Sequence, residues 1–165
     1  MSKSYDDLMA AFAGESQANR KYLAYAKKAD EEGYAQVARL FRAVAHAETI
    51  HALNHFRRAG EVRTTEENIK AAMAGEHYEN TEMYPTFMKD AEAEGDTQAL
   101  KSFHWANEAE KVHEMLYREA LETLDQPGET YDYYICPVCG YTHKRSAPEK
   151  CPVCGVPGSR FEKVS

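Results

Sequence analysis

Cysteine is absent from the first 135 residues of this 165-residue chain, and no long apolar run interrupts its polar and charged sequence. A membrane-spanning helix needs about 20 consecutive apolar residues, so the sequence predicts no membrane association. Basic residues are also in the minority: the net charge of −7 argues against nucleic acid as a partner. Residues 1–8 are polar and acidic, with no apolar signal core, and we therefore expect a cytoplasmic protein.

Helix-forming residues dominate the first 124 positions. Ala, Glu, Lys, Leu and Met are frequent, and apolar residues recur at helical spacing. Gly33, Gly60 and Gly95 mark plausible helix ends, because glycine readily takes the left-handed conformation that closes a helix. Four long helices with mostly short connections predict an all-α four-helix bundle.

Local signals refine the ends of these helices. Ser4 with Asp7 is predicted to cap the first helix, and Thr64 with Glu67 forms a capping box for the third. Pro85 lies inside the third helix, where it lacks a backbone donor and is predicted to produce a kink.

The helical pattern stops near residue 124. The Pro- and Gly-containing stretch 125–132 is predicted to be a linker. Residues 133–165 are short, turn-rich and cysteine-bearing, and such a segment needs a metal to compensate for its small apolar core. The predicted domains are therefore a four-helix bundle over 1–124 and a small metal-binding domain over 133–165.

An internal repeat relates the first two helices to the last two. The offset is 61 for the first equivalent pair below and 62 for the others. The pairs are Glu15 with Glu76, Gly33 with Gly95, Glu48 with Glu110 and His51 with His113. The repeat predicts a bundle with approximate two-fold symmetry.

Each predicted helix carries a glutamate on its apolar stripe, at positions 15, 48, 76 and 110. Buried carboxylates are costly and repel one another unless cations neutralise them. Two Glu-x-x-His pairs, Glu48 with His51 and Glu110 with His113, add imidazoles one turn away. In the di-iron carboxylate pattern, two helices each contribute one Glu and the other two each contribute a Glu-x-x-His pair.

Each of these residues has a simpler interpretation when taken alone. One Glu-x-x-His on an acidic helix is common by chance, His51 or His113 could be an ordinary core or surface histidine, and Glu15 could lie at the surface. The coincidence of two pairs in register within the repeat favours a metal site. Glu79 has Ala18 as its counterpart; it is either a further ligand or a solvated carboxylate.

The four cysteines form two Cys-Pro-Val-Cys-Gly knuckles, at Cys136 with Cys139 and at Cys151 with Cys154. Two such knuckles predict a tetrahedral site of four sulfurs for iron or zinc. Disulfides are disfavoured by the paired knuckles and by the absence of an export signal. The spacing does not distinguish zinc from iron.

Several segments resemble the rubrerythrin family across essentially the whole chain, in the family's domain order. They are Ala-Phe-Ala-Gly-Glu-Ser-Gln-Ala (11–18), Gly-Glu-His-Tyr-Glu-Asn-Thr-Glu-Met-Tyr-Pro (75–85), both Glu-x-x-His pairs and the Cys-Pro-Val-Cys-Gly-Tyr knuckle. The resemblance implies a ferritin-like bundle with a rubredoxin-like C-terminal domain. It implies two irons held by carboxylates and one iron held by four cysteines, for which zinc could substitute.

The resemblance also implies roles for individual residues. Glu48 and Glu110 would bridge the irons, and one iron would exchange Glu79 for His51 on reduction. Tyr22 and Tyr84 match tyrosines that line the family's site and hydrogen-bond its ligands. The implied ligands of the di-iron site are Glu15, Glu48, His51, Glu76, Glu79, Glu110 and His113.

The implied activity is reduction of hydrogen peroxide to water, as a defence against oxidative stress. Electrons would come from an external NADH-linked reductase or a rubredoxin, through the four-cysteine iron. The short linker favours a homodimer, head-to-tail or domain-swapped, with electrons passing between subunits. Two other functions remain open at this point: a ferritin-like ferroxidase or iron-handling protein, and a binding module that carries a zinc ribbon.

Overall fold

The computed structural model of the chain describes residues 2–126 and 128–165. Its helices are α1 (Lys3–Glu31), α2 (Ala35–Arg58), α3 (Thr65–Tyr78), α4 (Tyr84–Glu94) and α5 (Thr97–Glu122). Its strands are β1 (Tyr133–Ile135), β2 (Thr142–Lys144) and β3 (Glu162–Val164). The chain divides between Arg63 and Thr64 into two compact units.

The first unit is a hairpin of α1 and α2. Small residues let the two backbones approach closely: the buried positions in this hairpin are Ala26, Ala29, Ala38, Ala45 and Ala52. Aromatic pairs complete the contact at both ends. The rings of Phe12 and Phe56 lie 4.6 Å apart, and those of Tyr22 and Phe41 lie 6.1 Å apart. The hairpin therefore holds its two helices in a fixed register.

The second unit places α3 and α4 along α5 and adds the cysteine-bearing sheet. Ala91 of α4 and Ala109 of α5 are buried, and Phe87 and Phe103 pack with ring centroids 5.5 Å apart. The sheet has the order β2-β1-β3 and is antiparallel throughout. Within this unit, β2 also contacts α5.

The helix ends largely follow the local signals. Thr64 and Glu67 form the predicted capping box, and Gly95 closes α4 with a φ of 70°. The prediction for the first helix was wrong. Since α1 begins at Lys3, Ser4 lies within its first turn, and Ser2 is the cap that accepts a hydrogen bond from the Tyr5 amide.

The predicted third helix is interrupted before Pro85 by a π-helical segment, Glu79–Met83. In this segment the Tyr84 amide donates to the carbonyl of Glu79, five residues earlier. Such a turn contains one residue more than an α-helical turn. Pro85 then lies in the first turn of α4, where its missing amide costs little.

Residue 127, in the predicted linker 125–132, lies outside the described residues. The domain boundaries at 124 and 133 stay a prediction. Among the residues that the structure describes, no helix combines the length and the hydropathy that crossing a bilayer requires.

Candidate metal centres

One cluster of metal-ligating side chains lies in the α1–α2 hairpin. Glu15 projects from α1, and Glu48 and His51 project from α2, with one ligand atom of each within 4.8 Å of the others. His51 Nδ1 lies 2.9 Å from Glu48 Oε2 and 3.9 Å from Glu15 Oε1. The His51 side chain is 55% exposed, whereas that of Glu48 is only 14% exposed.

The second unit contains the equivalent cluster. Glu76 of α3 joins Glu110 and His113 of α5 within the same 4.8 Å limit. His113 Nδ1 lies 2.6 Å from Glu110 Oε2 and 3.7 Å from Glu76 Oε2. The sequence repeat is thus reproduced as two similar groups of two carboxylates and one imidazole, which we call the first half-site (Glu15, Glu48, His51) and the second half-site (Glu76, Glu110, His113).

The carboxylates of the second half-site influence each other's ionisation. Burial and the hydrogen bond and negative charge of Glu110 raise the pKa of Glu76 to about 7. Burial acts on Glu110 in the same direction, but hydrogen bonds from His113 and Glu76 outweigh it and lower the pKa of Glu110. Without a metal, a proton on Glu76 therefore neutralises part of the negative charge that a cation would neutralise.

Glu79 and Tyr84 lie near the second half-site. Burial, followed by the charge of Glu110, raises the pKa of Glu79. Burial and the charges of Glu110, Glu79 and Glu76 raise the pKa of Tyr84. In the first unit, Tyr22 packs against Tyr25 and Phe41.

His113 has a contact that the sequence did not reveal. Its Nε2 lies 2.9 Å from the hydroxyl of Thr142 and 3.2 Å from the carbonyl of Gly140, both in the cysteine-bearing part of the second unit. The hydrogen bond with Glu110 is the main cause that raises the pKa of His113, against the opposing effect of burial. These contacts join residues 27 to 29 positions apart, so no local sequence pattern marks them.

The four cysteines converge as the two knuckles predict. The sulfurs of Cys136 and Cys154 lie 3.5 Å apart, as do those of Cys139 and Cys151. A tetrahedral metal–thiolate site with 2.3 Å bonds has sulfurs about 3.8 Å apart. Burial opposes ionisation of Cys151, but backbone amides of Cys154 and Val153 and the neighbouring thiols lower its pKa to about 7. All four are free thiols.

These donor sets fit the expected iron cofactors. Each half-site offers two carboxylates and one imidazole, and the two negative charges balance one divalent cation. The four sulfurs suit one iron, and zinc could substitute there. Half-buried carboxylates this close together repel one another unless a cation or a proton neutralises them.

Comparisons with known proteins agree with this geometry. The family model described as Rubrerythrin matches residues 6–121, and the model described as Rubrerythrin, rubredoxin-like domain matches residues 134–162. Nigerythrin of Nitratidesulfovibrio vulgaris is 39% identical over 94% of this chain and 84% of its own sequence. Rubrerythrin-2 of Clostridium acetobutylicum is 35% identical over 95% of this chain and 94% of its own.

Solved structures give the same result. A structure described as the fully reduced state of nigerythrin (all ferrous) matches with a TM-score of 0.60 and 36% identity, over 99% of this chain and 88% of that one. A partially reduced nigerythrin structure matches with a TM-score of 0.61 and 37% identity over the same shares. The predicted fold class, a ferritin-like four-helix bundle with a small rubredoxin-like domain, is confirmed.

Proposed function

The chain belongs to the rubrerythrin family, and on that premise we propose that it reduces hydrogen peroxide to water in defence against oxidative stress. The reaction consumes one peroxide, two protons and two electrons and releases two waters. The observation that carries the proposal is the presence, in one chain, of two matching carboxylate–imidazole half-sites and a four-cysteine site.

The half-sites would hold two irons, and we propose Glu15, Glu48, Glu76, Glu110 and His113 as their ligands. When bound, a ferrous pair supplies the two electrons and the positive charge that stabilises the oxygen anions formed on O–O cleavage. The ligands are already grouped within each unit, so few side chains need to be reordered on binding.

Tyr84 would act as a hydrogen-bond donor near the carboxylates. Its phenol is protonated at neutral pH, as in any ordinary tyrosine, and burial and three neighbouring carboxylates raise its pKa further. A neutral phenol can donate a hydrogen bond to a peroxide oxygen and stabilise the charge that develops there. Tyr22, the counterpart of Tyr84 in the repeat, would line the site from the first unit.

An exchange of ligands between Glu79 and His51 would match the charge of the site to its oxidation state. The carboxylate of Glu79 suits the oxidised state, and the neutral imidazole of His51 suits the reduced state. Two observations support the exchange. His51 is 55% exposed and has room to move, and Glu79 is half-buried near Glu110 but lies outside the three-residue cluster.

The rubredoxin-like domain would return electrons one at a time from an external NADH-linked reductase or a rubredoxin. The cytoplasm is a reducing compartment and would keep its four cysteines available as thiolates. We further propose that the protein is a homodimer, head-to-tail or domain-swapped. Large apolar side chains on α2 support this, since Leu40, Ile50 and Leu53 are 60%, 49% and 43% exposed.

One experiment tests this activity directly. The iron-loaded protein is reduced anaerobically, mixed with one equivalent of hydrogen peroxide and followed by stopped-flow spectroscopy. We expect rapid reoxidation, which Glu48→Ala and Glu110→Ala abolish while the iron–thiolate spectrum persists. Glu108→Ala is the matched control, because Glu108 is on the same helix as Glu110 but pairs with Lys111. If the reduced wild-type protein does not react, it is not a peroxide reductase; uptake of many irons per chain would instead indicate storage.

A further inference from the structure

The two histidines of the half-sites differ on the side that faces away from their glutamates. His113 is 24% exposed, and its Nε2 lies within hydrogen-bond distance of Thr142 Oγ1 and the Gly140 carbonyl. His51 is 55% exposed, and within residues 2–126 and 128–165 its Nε2 has no equivalent acceptor. Of the two imidazoles, that of His113 is therefore the one held by hydrogen bonds at Nε2.

The partners of His113 on the side away from Glu110 hold a proton on Nε2. A carbonyl oxygen can only accept, and the Thr142 hydroxyl donates its own hydrogen to the Gly140 carbonyl at 3.2 Å. The Thr142 oxygen is then free to accept from His113, so both contacts require an N–H at Nε2. With the Nε2 proton held in this way, Nδ1 faces Glu110 and Glu76: it donates to Glu110 in the absence of a metal, and would present its lone pair there to a metal that displaces its proton.

Packing alone does not fix the imidazole. A cavity of about 490 Å³ lies between α5 and the sheet, lined by His113, Leu116, Ala120, Tyr133 and Ile135. Besides the contacts of His113, an ion pair of Glu119 with Lys144 links α5 to this sheet. The orientation of the His113 ring therefore depends on its hydrogen bonds, with Glu110 at Nδ1 and with Thr142 at Nε2.

Thr142 and Gly140 owe their positions to the first cysteine knuckle. The Gly140 amide donates to the Cys136 carbonyl at 3.0 Å, and the Cys136 amide donates to the Tyr141 carbonyl at 2.9 Å. In a small domain of this kind, metal binding supplies much of the folding free energy. Metal at the four cysteines should therefore order the segment that holds His113.

We propose that Thr142 is a positioning residue for His113, and that through it metal at the four cysteines strengthens metal binding at Glu76, Glu110 and His113. This inference rests on the proposed function, in which His113 is a metal ligand. It makes the two metal centres of the chain interdependent: the four-cysteine site prepares the second half-site for its own metal.

The test uses the full chain with its cysteine site filled by Zn²⁺, titrated with Co²⁺ in competition with a chromophoric chelator. We expect Thr142→Val to weaken Co²⁺ binding at the carboxylate–histidine ligands by about 10- to 100-fold, the usual effect of losing a partner of a metal-bound histidine. Thr142→Ser should restore wild-type affinity. Thr86→Val is the matched control, since its hydroxyl donates to the Glu82 carbonyl away from His113.

Two further measurements separate positioning from general damage. ¹⁵N NMR of His113 in the metal-free half-site should show an Nε2–H that exchanges slowly with solvent in wild type and rapidly in Thr142→Val. Emptying the cysteine site with Cys151→Ser and Cys154→Ser should weaken Co²⁺ binding by a similar factor, and adding Thr142→Val should then weaken it no further.

The outcomes are distinct. Unchanged Co²⁺ affinity in Thr142→Val, or additive losses in the combined variant, would overturn the role of Thr142 and leave the proposed function standing. Absence of any Co²⁺ binding outside the cysteines in the wild-type chain would instead remove the di-iron site, and with it the proposed function.

Discussion

Glu76 illustrates how closely spaced carboxylates behave before a metal neutralises them. Its pKa is raised to about 7, first by burial and then by Glu110, whereas an ordinary glutamate has a value of 4.5. Between these two pH values the folded chain retains a proton that the unfolded chain has released. The stability contributed by this group is therefore present at low pH and is lost as the pH rises towards 7.

We expect Glu76→Gln to flatten this part of the pH dependence in metal-free protein. The amide cannot ionise, so at this position the free energy of unfolding does not fall as the pH rises. Urea unfolding at about pH 5 and about pH 8 measures the effect, because wild type should lose more stability between them than the variant. Glu66→Gln is the control on the same helix, where the carboxylate is exposed and pairs with Lys70. If wild type and Glu76→Gln lose the same stability between the two pH values, Glu76 is not the group with the raised pKa.

Tyr84 provides a second residue-scale prediction. Tyr84→Phe removes the phenolic donor but keeps the ring that packs on Phe87 and Phe103. We expect reoxidation by peroxide to slow about tenfold, the effect of one hydrogen bond of about 1.4 kcal/mol, with unchanged iron content. Tyr78→Phe, at a position 58% exposed, should have no effect. Loss of iron in Tyr84→Phe would indicate a structural role instead.

The π-helical segment explains an irregularity of the sequence repeat. Glu15 and Glu76 are 61 residues apart, as are Asn19 and Asn80, whereas Tyr22 and Tyr84 are 62 apart. The additional residue therefore enters between Asn80 and Tyr84, inside the segment Glu79–Met83. It restores Tyr84 to the face that carries Glu76. Asn80 also donates to Glu114 of α5 at 2.6 Å, which ties the π turn to the neighbouring helix.

Removing that residue should eliminate the π turn without shifting the faces of the helix. Deletion of Thr81 combined with Pro85→Ala would allow a regular helix in which the tyrosine follows Glu76 by seven residues, as Tyr22 follows Glu15. We expect far-UV circular dichroism and iron binding at the carboxylates to persist. Deletion of Thr86, which lies in the regular helix α4, should instead rotate the residues after it by about 100° and lower the thermal midpoint. Loss of iron on deletion of Thr81 would contradict the account of the π turn as a compensated insertion.

Helix ends, which depend on neighbours in sequence, could be predicted from the sequence. Contacts between residues far apart in the chain could not. The capping box at Thr64 and the helix end at Gly95 are set by neighbours in sequence. Ser4 failed as a cap because Ser2 offers an equivalent hydroxyl two residues earlier. The repeat located the candidate ligands, but the contact of Thr142 with His113 depends on tertiary packing.

At the scale of the whole molecule, the apolar side chains on α2 predict self-association. Ile50 and Leu53 lie well round the helix from Glu48, so covering them need not block the half-site. We expect sedimentation to give twice the chain mass of 18.7 kDa. Ile50→Lys with Leu53→Lys should shift the equilibrium towards monomer, whereas Lys111→Ala should not. A monomeric wild-type protein would contradict the proposed homodimer.

The association of two half-sites into one pair of irons is tested most directly by Mössbauer spectroscopy with iron counting, on ⁵⁷Fe-loaded wild type, Glu48→Ala and Glu110→Ala. If acidic groups from both units share one pair of metals, the oxidised wild type shows two magnetically coupled ferric ions beside one thiolate-bound iron, and either variant loses both coupled ions while keeping the third. Uncoupled ferric signals in wild type, with each variant losing one ion only, would show that the half-sites act separately and would contradict the shared centre.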